Sequence, residues 1–248
     1  MGQRHQIYLF VQERKGFAKT KGKKLGFGLH HQWLYGETAG TQALRMMEYQ
    51  EKASKESYHP LNGTILYNGD EPRQVLKAMY QINPETGYYS DSLSELNEYE
   101  KGQVERPDTD DNNDGITVFD FTDPEKPTYC MMNIDSQNLE YGGGVSVLPS
   151  LTPVSIEKYV RAYYPIGGTE YQKENWKATD FKRHEKNLAK LFKRASKFSV
   201  MTLERAKKLF PKMYKETENL KALKKAGVDL TEPISRAKIK KILSEAKL

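Results

Sequence analysis

A chain of 248 residues with 37% hydrophobic and 29% charged residues is long enough for one good hydrophobic core and an appendage, and it carries too many large apolar residues for wholesale disorder. It has no apolar run of the ~18 residues a transmembrane helix needs and no apolar signal-peptide region at its start, while Cys130 as the only cysteine excludes an intramolecular disulfide framework and a multi-cysteine zinc site; a cytoplasmic protein without membrane contact is expected. The net charge of +6 is unevenly divided: residues 171–248 hold 18 Lys and 4 Arg against 9 acidic residues, a net of +13, which leaves −7 for the residues before them.

Residues 5–11, with Ile7, Tyr8, Leu9, Phe10 and Val11, are rich in β-formers and predict a strand, and residues 25–33 predict a second. Between them Arg14, Lys15, Lys19, Lys21, Lys23 and Lys24, with Gly16 and Gly22, have the composition of a long exposed hairpin loop. Thr38 or Thr41 can cap a helix over 42–55, where Ala43, Met46, Met47 and Gln50 fall near helical spacing. A short strand at 63–68 and a short helix at 71–81 follow, with Pro72 tolerated in the helix's first turn. Residues 83–106 are polar and weakly patterned, which predicts surface loop with one helix around 93–99. Residues 116–121 and 128–134 are strand-like and are separated by Pro124 and Pro127, which predicts a hairpin.

Ser155 can cap a helix through Tyr163, on which Ile156, Tyr159, Val160 and Tyr163 share a face, and Pro165, Gly167 and Gly168 then end it. Beyond Trp176 helical signals dominate. Leu188, Leu191, Phe192 and Ala195 are spaced i, i+3, i+4, i+7 among nine basic residues between Lys173 and Lys197. Thr202 caps a second helix with Leu203, Ala206, Leu209 and Phe210, and Pro211 kinks or ends it; Leu220 and Leu223 mark a third that Gly227 stops, and Thr231 and Pro233 open a fourth. The expected fold is α+β: an acidic body over 1–168, a mixed or antiparallel sheet with flanking helices, followed by a small basic all-helical segment over 169–248.

Three of the five histidines lie in two unusual words, Met1-Gly2-Gln3-Arg4-His5-Gln6 and His30-His31-Gln32-Trp33-Leu34-Tyr35-Gly36. If the two strands pair antiparallel about Ala18, residue numbers summing to 36 oppose each other, and His5 faces His31. His5, His30 and His31 with Arg4 are then candidate catalytic residues for acid–base work or a phosphate clamp; the alternative is that they are hydrogen-bonded sheet residues. The two words together resemble a group of uncharacterised open reading frames of tailed phages and fungi. The resemblance covers mainly the first 36 residues, with the stretch Asn112-Asn113-Asp114-Gly115 as a possible extension, and leaves the basic segment unmatched. It implies a phage-type origin, hence a host-cytoplasm or virion setting, and no catalytic role.

Asp110, Asn112 and Asp114 alternate before Gly115 as in the first half of an EF-hand loop, but Phe121 stands where a closing Glu is required. A Ca²⁺ or Mg²⁺ site completed by other residues and a plain Asp/Asn turn both fit, and no cofactor is required by any other pattern. Signatures of the P-loop, dinucleotide, nucleophile-elbow and zincin types are missing from the chain. The charge division points to a polyanion: non-specific nucleic-acid binding through Lys182, Arg183, Lys186, Lys190, Lys193, Arg194 and Lys197. The alternatives are a phosphodiester- or nucleotide-processing enzyme that uses the N-terminal histidines, and a virion or assembly component that self-associates by acidic body and basic tail. Whether the chain is an enzyme is left open by its sequence.

Overall fold

Two long strands joined as a hairpin make the middle of the sheet: β1 (Arg4–Lys15) and β2 (Thr20–Gln32). Their antiparallel register pairs His5 with His31, Ile7 with Leu29 and Gln12 with Lys24, so paired numbers sum to 36, as the hairpin count predicts. In this computed structural model the described residues are 4–15, 20–32, 34–55, 92–96, 115–123, 126–132, 151–227 and 236–245. The expected long basic loop is corrected: after a bulge between Gln12 and Arg14 the ladder continues with Arg14 opposite Lys21 and Lys15 opposite Thr20. Ladder hydrogen bonds join backbone groups, so a run of lysines does not by itself end a hairpin.

The sheet has six strands in the order β3-β2-β1-β4-β5-β6, with β3 (Ser92–Leu96), β4 (Ile116–Phe121), β5 (Thr128–Met132) and the two-residue β6 (Ser199–Val200). It is mixed: β1 runs parallel to β4, β2 antiparallel to β1 and β3, and β5 antiparallel to β4 and parallel to β6. The helix expected around 93–99 is replaced by β3, since an unpaired β2 edge is a stronger determinant there than the weak local pattern. The strand and helix expected at 63–68 and 71–81 lie outside the described residues.

Alternation along the central strands sends two sets of side chains to opposite faces. Ile7, Leu9, Val11, Phe119, Phe121, Tyr129 and Met131 join one core, and Tyr8, Phe10, Ile116, Val118, Cys130 and Met132 join the other. Both faces are therefore covered, and β1 is a continuous buried run from His5 to Gln12. The first face carries α1 (Gly36–Lys55), α2 (Ile156–Tyr163) and α4 (Ala178–Ala195). The short α3 (Glu170–Asn175), held by a Thr169/Gln172 capping box, connects α2 to α4. The second face carries α5 (Leu203–Leu209) and the start of α6 (Pro211–Lys225), and α7 (Arg236–Glu245) follows. Ser155 and Thr202 accept the expected capping bonds from Lys158 and Arg205 amides.

The charge boundary at 168 is not a boundary of the core. Leu188, Leu191, Phe192 and Ala195 pack with Ile7 and Leu9, while Met201, Ala206, Leu209 and Phe210 pack with Tyr8 and Phe10. The sheet needs them: each large apolar side chain removed from water contributes about 1.5–3 kcal/mol. No helix among the described residues is long and apolar enough to cross a membrane.

Candidate functional site

His5 is fully buried, one ring nitrogen 2.7 Å from the Thr117 hydroxyl on β4 and the other 3.4 Å from the Tyr159 hydroxyl on α2. Its ring meets Tyr159 edge-on at 5.9 Å, and Tyr159 approaches Tyr163 at 3.5 Å between hydroxyls. Such a histidine joins strand to helix inside the core. The register sets His30 opposite Gln6, His31 opposite His5 and Arg4 opposite Gln32 along the same hairpin. The backbone juxtaposition predicted for the two words is present, but the His5 side chain serves the packing of β1 against β4 and α2.

The seven basic candidates at the C-terminal side all lie on α4 or just past it, and all are exposed. They divide by what they meet. Arg183 pairs with Asp180 on its own helix at 3.0 Å, while Arg194 forks onto Glu48 with bonds of 3.0 and 2.6 Å and Lys197 meets Glu51 at 2.8 Å, both on α1. His184 adds a third contact from α4 to α1, 3.5 Å from Glu37. Part of the attraction between acidic and basic segments is thus satisfied within one molecule. The Glu48 hydrogen bond is the main influence that raises the Arg194 pKa.

Lys182, Lys186, Lys190 and Lys193 form no ion pair with a described residue. At 3.6 residues per turn their spacing confines them to about 80° of the helix circumference, and at 1.5 Å per residue they extend over about 16 Å. Their stripe lies opposite the buried Leu188, Leu191, Phe192 and Ala195, which fix the rotation of the helix. Arg161 on α2 also holds α4, through a forked pair with Glu185 at 2.8 and 2.9 Å and a stack over Phe192 at 5.0 Å. This pair lowers the Glu185 pKa and raises that of Arg161, in each case chiefly by the hydrogen bond between them.

Cavities open on the described surface. One, of about 330 Å³, lies at the start of α4 between Trp176, Asp180, Arg183, His184 and Asn187. The His184 ring there meets Trp176 and Tyr164 edge-on at 5.1 and 4.9 Å. Another, of about 390 Å³, lies on the second face of the sheet, over Gln12 of β1, Asp120 near the end of β4 and Thr128 of β5. Its floor continues the second core face, where the apolar row Phe10, Val118 and Cys130 gives way to Gln12, Asp120 and Thr128. Asp120 is buried and ion-paired to Arg205 Nε from α5; Arg205 Nη2 donates to Thr122 Oγ1 at 2.9 Å, and that hydroxyl donates to Asp120 Oδ1 at 2.6 Å. Sequence patterns did not single these residues out, because their proximity depends on α5 crossing the sheet some 85 residues after β4.

Burial raises the thiol pKa of Cys130, with the Asp120 carboxylate adding to the effect, so it is a core filler in the sheet. Asp110, Asn112 and Asp114 lie outside the described residues; Gly115, which follows them, has φ +107° and leads into β4, a conformation that suits glycine alone. Among the described residues no three His, Cys, Asp or Glu side chains converge. No family model matches the chain, and no curated protein or solved structure matches it.

Proposed function

We propose that this protein binds nucleic acid without reading its sequence, through the phosphates, on the lysine stripe of α4. The observation that carries the reading is the segregation of the basic residues: Arg194 and Lys197 hold α4 to α1, whereas Lys182, Lys186, Lys190 and Lys193 face outward on one side of a helix whose other side is fixed in the core. Lysine ammonium groups act as point charges toward phosphate and carry no base-pair code, so affinity is expected to be electrostatic and nearly indifferent to sequence. The interface is therefore narrower than the whole basic segment. The phage-type resemblance adds a setting to this reading and no residue.

Gel-shift measurements at low salt on two variants test the assignment. Replacing Lys182, Lys186, Lys190 and Lys193 by Gln should abolish the shift, while replacing Arg194 and Lys197 by Gln should leave most of it and lower the melting temperature. The reverse pattern would reject the stripe as the binding surface.

A further inference from the structure

We infer that the cavity over Gln12, Asp120 and Thr128 on the second sheet face is a binding site for a small phosphomonoester, distinct from the lysine stripe. Gln12, Asp120 and Thr128 lie side by side on the adjacent strands β1, β4 and β5, and Lys24 opposite Gln12 on β2 extends the row. The bulge between Gln12 and Arg14 falls beside the cavity floor, and such irregularities redirect side chains.

The lining fits an anion with several oxygens. Lys24 on β2 and Lys126 in the β4–β5 loop are exposed and both border the cavity, and Arg205 reaches it from α5. Asp120 is engaged by Arg205, which fixes the guanidinium plane; of the cavity's other charged groups only Asp123 is acidic. Three cations against two carboxylates leave a net positive charge, and Gln12, Thr122 and Thr128 add uncharged hydrogen-bonding groups. A volume of about 390 Å³ admits a phosphate together with a compact organic group. Phosphate groups are commonly recognised by such a combination of a positioned Arg, mobile Lys and hydroxyls.

Calorimetric titration of the full chain with inorganic phosphate and with adenosine 5′-monophosphate tests the site, using Lys24→Ala and Lys126→Ala at exposed positions where folding is not at stake. Saturable binding of either probe is expected, weakened about tenfold by each substitution. Tighter binding of the nucleotide would assign the organic group to the cavity as well; equal binding would confine recognition to the phosphate. The variant with Gln at Lys182, Lys186, Lys190 and Lys193 should bind both probes like the parent, which separates this site from the nucleic-acid surface. Absence of heat with both probes at millimolar concentration, or binding unchanged in both alanine variants, would overturn the inference.

Discussion

Arg205 on α5 and Asp120 near the carboxyl end of β4 form an ion pair, closed into a triangle by Thr122, which accepts from the arginine and donates to the aspartate. The Asp120 side chain is only 8% exposed and the Arg205 side chain 30%. Asp120→Ala leaves a half-buried cation without its counter-charge and should destabilise the fold by about 2 kcal/mol, the full cost of a broken buried pair being reduced by the exposure of Arg205. Urea denaturation measures it, and Asp120→Ala combined with Arg205→Met should recover part of the loss.

Gly40 on α1 lies against α2, where an added Cβ would sit 2.6 Å from Val160 Cγ2 and 3.0 Å from Ile156 Cγ2. Gly40→Ala gains roughly 1 kcal/mol of helix propensity but forces two core methyl groups apart, at a cost of about 1–3 kcal/mol. The net effect should be a lower melting temperature, measured by calorimetry.

Arg161 and Glu185 make the forked bond that fastens α2 to α4. The glutamate's folded pKa lies below its ordinary value of 4.5, chiefly through the hydrogen bond from Arg161. Its contribution is therefore present above that ordinary value and lost as pH falls through the folded value. Glu185→Gln should be less stable than the parent by about 1 kcal/mol at neutral pH, and the two stability curves should converge below pH 4.5.

A chain ended at residue 168 would lose Leu188, Leu191 and Phe192 from one sheet face and Leu209, Phe210 and Tyr214 from the other. It should not fold as an independent acidic body: dye binding to exposed apolar surface and a broad, weakly cooperative thermal transition are expected.

Local patterns were sufficient where one face of one element decides the outcome. Ser155 and Thr202 were readable as caps, Leu188, Leu191, Phe192 and Ala195 as a buried face, and Ile7 opposite Leu29 as a register, because each depends on near neighbours or on a simple hairpin. What required the fold was the use of each face. His5 has the composition of an acid–base residue, and only the parallel pairing of β1 with β4 brings Thr117 to its ring. Arg194 and Lys186 are equivalent as charges in a sequence, and only the position of Glu48 on α1 separates a structural pair from an outward cation. The Asp120–Arg205 pair spans the β4–α5 crossing and has no local signature at all.

The most direct test of the central claim is the salt dependence of binding, measured by fluorescence anisotropy on the full chain with a labelled duplex. Four phosphate contacts from Lys182, Lys186, Lys190 and Lys193 give a log–log slope of about −3.6, at roughly −0.9 per neutralised phosphate, and the slope should be the same for unrelated duplex sequences. Each single Lys→Gln change should make it shallower by about 0.9. An affinity and slope unaltered by all four substitutions, or no binding by the parent chain at low salt, would contradict the assignment of this helix face to nucleic acid.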